Sequence, residues 1–326
     1  MANATPLHVV TGKGGTGKTT VAAALAMALA DAGRRVLLCE VEGRQGIAQL
    51  FDVPPLPYEE RMVAVGLGGG EVFALAIDPE AALLEYLQMY YRLGRAGKAL
   101  DRFGIIDFAT TIAPGVRDVL LTGKVYEAAR RRDGNGFTYD AVVMDAPPTG
   151  RIARFLNVNE EVAGLARVGP VRRQADSIMA MMRSQSTQVH LVTVLEEMPV
   201  QETLDGIAEL RDTNLPGGHV IVNLVQPAML GDHTREALRS GALGTQQVAS
   251  VLTSVALSAD AAPALIEQGR SHLERQDLQD SQRDVLVRAD RPVMELPTLP
   301  DAIDQGALFE LARMLRADLV GKGDPA

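Results

Sequence analysis

Short apolar runs alternate with helix-forming segments along most of this chain. Residues 7–10, 36–41 and 139–145 are the clearest runs, and none of them shows the strict apolar–polar alternation of a strand with one solvated face. Continuous apolar runs of this length are typical of strands buried on both faces of a parallel sheet. The pattern predicts an α/β fold of three layers, in which a doubly wound, mainly parallel sheet lies between helices.

The spacing of apolar residues becomes helical in two long stretches, at about residues 79–132 and 157–187. Both are longer than an ordinary connection between strands. We therefore expect one domain spanning residues 1–326, with a helical subdomain inserted at these two places. The large apolar side chains at helical spacing either line a groove for a partner or pack the subdomain's own core. They are Leu83, Leu87, Tyr90, Tyr91, Ile178, Met181 and Met182.

A glycine-rich segment joins the first apolar run to a helical segment at residues 21–29. Gly12, Gly17, Lys18 and Thr19 occupy the fixed positions of the phosphate-loop pattern G-x-x-x-x-G-K-[ST]. Such a loop turns backbone N–H groups toward phosphate oxygens, and the helix N-terminus adds the positive end of its dipole. The expected ligands are ATP and Mg²⁺, with Lys18 at the β- and γ-phosphates and Thr19 on the metal. The expected binding residues are Gly12, Lys13, Gly14, Gly15, Thr16, Gly17, Lys18, Thr19 and Thr20.

The apolar run at residues 139–145 ends in Asp145, which is a second candidate ligand for Mg²⁺. Carboxylates are preferred Mg²⁺ ligands in proteins, and the metal usually keeps several of its waters. The alternative is an aspartate that caps the following turn.

Composition and charge narrow the class of partner. The formal net charge of −9 argues against a nucleic-acid partner, because proteins that bind nucleic acids carry a basic face. The one cysteine, Cys39, lies within an apolar run and is interpreted as a buried small hydrophobe. No basic leader precedes the first apolar run, and no apolar run is long enough to cross a bilayer. We therefore expect a cytoplasmic protein.

Lys13, the second residue of the glycine-rich loop, is not needed for simple nucleotide binding. With this lysine the loop resembles the deviant Walker A loop of partition, septum-site, nitrogenase-reductase, arsenite-pump and tail-anchored-protein-targeting ATPases. Residues 145–150 resemble the Asp-Thr-Ala-Pro-Thr-Gly switch of the arsenite-pump and tail-anchored-protein-targeting ATPases in particular. Residues 194–203 resemble the strand-to-helix turn of the same family. The alternative for Lys13 is a solvated surface side chain.

This resemblance implies an ATPase that hydrolyses ATP to ADP and phosphate as a dimer. In this family the extra lysine reaches the nucleotide of the partner subunit, so Lys13 is expected to act in catalysis across the interface. The dimer is either a homodimer or a heterodimer with a paralogue. Asp145 is expected to support catalysis through Mg²⁺, and the helical subdomain to bind a hydrophobic-helix or membrane-protein client.

The resemblance also suggests residues for the adenine ring. In this family an asparagine at a strand end contacts the adenine edge, and Asn223 ends the apolar run at residues 220–223. An amide can both donate to and accept from adenine, which makes it a suitable specificity group. The alternative for Asn223 is a residue that starts a turn. Pro297 lies in a segment that resembles the family's adenine-side loop.

The chain departs from the family at the first switch, where Glu42-Gly43-Arg44-Gln45 replaces Asp-Pro-Ala-His. The family aspartate positions the attacking water, and a misplaced catalytic group can cost about 10²-fold in rate. Glu42 is therefore the candidate catalytic carboxylate of an active ATPase. The competing hypothesis is a weakly hydrolysing regulatory or scaffold subunit paired with a paralogue. A single cysteine also excludes a thiolate cluster for arsenite and a cysteine pair for zinc.

Overall fold

The computed structural model describes residues 5–91, 114–134, 136–157, 170–300 and 303–319. Its strands are β1 (Leu7–Gly12), β2 (Val36–Glu40), β3 (Arg61–Val65), β4 (Glu71–Ala76), β5 (Arg132–Asp133), β6 (Gly136–Phe137), β7 (Ala141–Asp145), β8 (Thr187–Thr193), β9 (Gly217–Val225) and β10 (Val293–Pro297).

The α-helices of the described part are α1 (Lys18–Asp31), α2 (Gly46–Leu50), α3 (Pro79–Tyr91), α4 (Pro114–Arg130), α5 (Thr149–Leu156), α6 (Pro170–Met182), α7 (Glu197–Asp212), α8 (Asp232–Arg239), α9 (Thr245–Ser254), α10 (Ala262–Val287) and α11 (Gln305–Leu319). None of these helices combines the length and hydropathy that a bilayer-spanning segment needs.

Eight strands form one sheet in the order β10-β9-β8-β1-β7-β2-β4-β3. All neighbours are parallel except β3, which runs antiparallel to β4 at the edge. The predicted three-layer α/β fold with a mainly parallel sheet is confirmed. The sequence pattern missed β3, because this edge strand is largely exposed and carries no continuous apolar run.

The sheet is covered on both faces by apolar side chains. On one face lies α1, whose residues 21–30 are all at most 2% exposed, together with α11. Helices α4, α5, α6 and α7 cover the other face. Alanine-rich α1 is hydrophobic all round because it is enclosed between the sheet and α11.

Part of the groove hypothesis is wrong. Leu83, Ile178, Met181 and Met182 are buried in the core on the face covered by α4 to α7, so they cannot line an open groove. Their apolar spacing reflects packing against the sheet. The side chains of Leu87, Tyr90 and Tyr91 lie outside the described residues, as do residues 92–113 and 158–169 of the predicted helical subdomain.

An ion-pair network fastens α4 to the neighbouring elements. The Lys124 ammonium donates to both oxygens of Glu85 on α3, at 2.7 and 2.9 Å. Arg131, directly after α4, donates from Nη1 to both oxygens of Glu60 at 2.8 Å. Tyr139 Oη, ahead of β7, donates to Glu60 Oε2 at 2.6 Å. The network holds one end of the helical stretch against the edge of the sheet.

Candidate functional site

Three loops meet where the central parallel strands end. Val10 of β1 is in register with Asp145 of β7, and Asp145 is in turn in register with Glu40 of β2. The carboxyl ends of these strands therefore bring the glycine-rich loop, the loop after Asp145 and the loop after Glu40 together. In open α/β sheets this edge is where ligands bind.

The glycine-rich loop fits its surroundings only with glycine at two of its fixed positions. A Cβ on Gly12 would lie 2.2 Å from the carbonyl oxygen of Val192 on β8. Gly17 has φ +83°, and a Cβ there would lie 2.3 Å from Asn223 Nδ2. Lys18 begins α1 directly after this turn and is 8% exposed. The loop therefore turns directly onto a helix N-terminus, as a phosphate cradle requires.

Thr19 and Asp145, the two predicted metal ligands, lie in contact. Thr19 Oγ1 donates to Asp145 Oδ2 at 2.7 Å, whereas Asp145 Oδ1 is buried and has no hydrogen-bond partner within the described residues. Burial raises the pKa of Asp145 to about 6, against the lowering effect of the Thr19 hydrogen bond and the Lys18 charge. The charges of Glu40 and Glu42 add to the increase.

This donor set fits Mg²⁺. A buried carboxylate oxygen that lacks a partner is costly unless a cation or its water satisfies it. The neighbouring threonine hydroxyl is a hard oxygen ligand of the kind that Mg²⁺ prefers. A carboxylate whose pKa is raised by burial would also be restored to its ionised form by a nearby cation.

Asn223 lies against the phosphate loop. Its side chain is 4% exposed, and Nδ2 donates to the carbonyl oxygen of Thr16 at 2.9 Å. The amide thus supports the turn before Lys18. Pro297, the last residue of β10, lies beside Val225 of β9, where the Thr298 N–H donates to the Val225 carbonyl at 2.9 Å. The roles of Asn223 and Pro297 toward adenine stay predictions.

Lys13 is engaged within its own chain. Its Nζ lies 2.7 Å from Glu202 Oε1 on α7, and both side chains are about one-third exposed. Sequence reasoning missed Glu202, although the residue belongs to the segment that resembles the family's strand-to-helix turn. The role of Lys13 across a dimer stays a prediction.

The loop after β2 carries Glu42, whose side chain is 21% exposed and lies 3.8 Å from the guanidinium of Arg44. Gly43 has φ +67°. A proline cannot adopt that conformation, so this loop cannot share the backbone of an Asp-Pro-Ala-His segment here.

Sequence reasoning also missed Glu40, because it reads as part of an apolar strand. Its register with Asp145 is the signal that marks it.

The loop after Asp145 is tied to the phosphate loop and leads to the helical stretch. Thr11 Oγ1, at the end of β1, donates to the carbonyl oxygen of Pro147 at 2.6 Å. Helix α5 begins at Thr149, and Arg151 on it lies 3.7 Å from Asp118 on α4. The loop after Asp145 is therefore in contact with β1, and the helix that follows it is in contact with α4.

In this mainly parallel sheet, the first strand leads into the glycine-rich loop, and the aspartate that ends the adjacent strand accepts a hydrogen bond from the loop threonine. This arrangement defines an α/β nucleotide-binding protein of the phosphate-loop class. The chain belongs to the anion-transporting ATPase family, whose profile matches residues 6–186. This confirms the family that the sequence motifs indicated.

Relatives of this chain are also named as ATPases. It is 53% identical over 312 residues to the ATPase BagA of Mycobacterium tuberculosis, covering 95% of this chain and 92% of BagA. It is 26% identical over 250 residues to an arsenical pump-driving ATPase of Acidiphilium multivorum, covering 72% of this chain and 42% of that protein. An arsenical pump-driving ATPase of Escherichia coli is 27% identical over 265 residues, covering 73% and 42%.

Proposed function

We propose that this protein binds ATP with Mg²⁺ at the junction of the three loops and hydrolyses it as a dimer. The observation that carries the proposal is the Thr19–Asp145 hydrogen bond at the mouth of the glycine-rich loop, with the second Asp145 oxygen buried and unpartnered. The names of two relatives, which are both called ATPases, also support ATP hydrolysis.

In this proposal each residue of the site has a separate task. Thr19 Oγ1 and Asp145 Oδ1 would hold Mg²⁺, directly or through its waters, and bound there it would supply positive charge for the phosphates. Lys18 and the loop N–H groups bind the phosphate oxygens. Glu42 orients the attacking water or accepts its proton. Because phosphoryl transfer depends mainly on positioning and electrostatic stabilisation, each of these tasks contributes to hydrolysis.

In the proposed dimer, each nucleotide receives a further cation from the partner chain. Lys13 of each chain leaves Glu202 and reaches the nucleotide of the partner, where it stabilises charge in the transition state. An ion pair of this exposure is worth about 1 kcal/mol or less, so its loss costs little.

The nucleotide state is coupled to a hydrophobic-helix or membrane-protein client through the loop after Asp145. Support comes from the continuous path of Thr11, Pro147, Arg151 and Asp118, which joins β1 to α4. In the alternative, the chain is a regulatory or scaffold subunit paired with a paralogue. It would then bind the nucleotide but hydrolyse it slowly on its own.

Calorimetry with ATP, with and without Mg²⁺, tests the site. Lys18→Ala should abolish tight ATP binding, because the loop loses its cation at the phosphates. Asp145→Asn should keep ATP binding without the metal and lose the increase in affinity that Mg²⁺ gives. Asp133→Asn, an exposed position on β5, makes the same charge change as a control. Wild-type affinity in Lys18→Ala, or an unchanged Mg²⁺ effect in Asp145→Asn, would overturn the assignment.

A further inference from the structure

The backbone of the loop after β2 is held by a buried carboxylate. Glu40 is the last residue of β2 and is 2% exposed. Its Oε1 accepts a short hydrogen bond from the Gln45 N–H, and its Oε2 accepts from the Ile47 N–H at 3.2 Å. Both oxygens of one carboxylate therefore bind the two ends of a single turn, and hydrogen bonds to a charged acceptor are the strong kind.

The side chain of Gln45 fixes the same loop from the other side. Gln45 Nε2 donates to the carbonyl oxygen of Leu56 at 3.1 Å, and the Leu56 N–H donates to Gln45 Oε1 at 2.7 Å. Gln45 itself has φ +58°, a left-handed conformation that costs energy for a residue other than glycine. A residue keeps such a conformation only where its surroundings determine it, and here the two pairs of hydrogen bonds do so.

The clamped loop lies directly against the proposed metal ligands. A Cβ on Gly46 would lie 3.1 Å from Thr19 Cγ2, so the loop packs on the threonine that bonds Asp145. Between the clamped residues and β2 lies Gly43, and glycine leaves a backbone more freedom than any other residue. The hydrogen bonds of Glu40 and Gln45 therefore restrict the backbone of the stretch that carries Glu42.

We propose that Glu40 and Gln45 are positioning residues, which hold the loop at residues 41–46 so that Glu42 stays at the γ-phosphate end of the site. The proposal rests on the proposed function, because it gives Glu42 the water-orienting role. Glu40 and Gln45 touch neither substrate nor metal in it. They act on turnover mainly through the loop, because the charge of Glu40 makes only a minor contribution to the pKa of Asp145, and ATP affinity should change little without them.

Two measurements on the full-length chain test the proposal. The first is hydrogen exchange of the Gln45 and Ile47 amides without nucleotide, in wild type, Glu40→Gln and the control Glu59→Gln. Glu59 is exposed ahead of β3 and gives the same loss of charge. In Glu40→Gln one acceptor becomes an NH₂ group, so exchange should accelerate about tenfold or more at these amides and stay unchanged in the control.

The second measurement is a double-mutant cycle on kcat with Glu40→Gln and Glu42→Gln. Glu40→Gln alone should lower kcat about tenfold while the ATP Kd stays within about twofold, because only the position of Glu42 has changed. Added to Glu42→Gln, it should change kcat little. Gln45→Asn, which tolerates the left-handed backbone but is too short to reach Leu56, should reproduce the kcat effect even if Glu40→Gln does not fold.

The outcomes separate the two proposals. Unchanged amide exchange and unchanged kcat in folded Glu40→Gln, with normal wild-type hydrolysis, would overturn the clamp alone. Additive effects of Glu40→Gln and Glu42→Gln would show that Glu40 does not act through Glu42, and would also overturn it. A wild type without ATP hydrolysis would remove the proposed function, whereas faster amide exchange in Glu40→Gln would still support the clamp.

Discussion

Glu42 is a residue on which the rate of hydrolysis should depend strongly. It follows β2 by two residues on the side of the sheet where the phosphate loop lies, and its charge contributes to the raised pKa of Asp145. Glu42→Gln removes the base but keeps the shape, so turnover should fall by about 10²–10⁴ while ATP affinity stays near wild type. Steady-state phosphate release and calorimetry measure the two effects.

Glu42→Asp moves the carboxylate back by one methylene, to the side chain that the family uses. In an active enzyme it should retain or raise turnover. If Glu42→Gln keeps wild-type turnover, Glu42 has no part in the mechanism. If wild type is nearly inactive and Glu42→Asp activates it, the chain is a weakly hydrolysing subunit instead.

Residue chemistry made part of the site predictable. A fixed loop pattern and an apolar strand ending in aspartate were enough to predict the Thr19 and Asp145 pair, which the structure brings together. Glu40 and Glu202 could not be found in this way, because their partners depend on strand register and on the packing of α7. The pairing of Lys13 with Glu202 is a tertiary contact that no local pattern encodes.

At the scale of elements, three neighbouring strands place histidines side by side. His8 on β1 stacks on His190 of β8, with ring centroids 5.4 Å apart, and His190 stacks on His219 of β9 at 5.7 Å. His190 is fully buried and accepts a hydrogen bond from the His219 backbone N–H at 3.2 Å. Burial, aided by its histidine neighbours, holds the pKa of His190 well below its usual value.

The three stacked histidines predict that acid destabilises the fold. Burial, with Arg34 and His219 beside it, lowers the pKa of His8 to about 4. Both His8 and His190 are therefore neutral in the fold and would bind protons once unfolded, at pKa about 6.5. Their contribution to stability is complete above pH 6.5 and is lost as pH falls below it, because the unfolded chain then binds protons that the folded chain does not.

Denaturant unfolding at several pH values between 7.5 and 4.5 checks this expectation. His190→Asn keeps an acceptor near the His219 N–H and should show a shallower loss of stability with acid. His233→Asn, at an exposed position on α8, should keep the wild-type slope. Equal slopes in wild type and His190→Asn would contradict the account.

Elements with strong periodicity were predicted well, and those that depend on context were not. The enclosed α1 and the buried parallel strands follow from their apolar runs. Edge strand β3 was not predicted, because its residues are largely exposed and form a strand by pairing with β4 rather than through an apolar pattern. The spacing of Met181 and Met182 showed a helix face but could not show that the face meets the sheet rather than a client.

At the scale of the whole molecule, the proposed function needs an active site completed by two chains. The isolated chain shows Lys13 held by its own Glu202, and the proposed dimer moves that lysine to the partner's nucleotide. Lys13→Ala should leave ATP binding intact, because Lys18 and the loop remain. It should lower turnover by about 10³–10⁵, the range for a cation that acts in trans on phosphoryl transfer.

Mixing two inactive variants tests this claim most directly. Lys13→Ala keeps its own metal site but supplies no lysine, whereas Asp145→Asn supplies the lysine but has lost its metal ligand. In a mixed dimer the Lys13→Ala site receives Lys13 from the Asp145→Asn chain, so one complete site forms per dimer. An equimolar mixture that exchanges freely should recover about one quarter of wild-type turnover, since half of the dimers are mixed. A mixture no more active than the mean of the two separate variants would contradict a shared site.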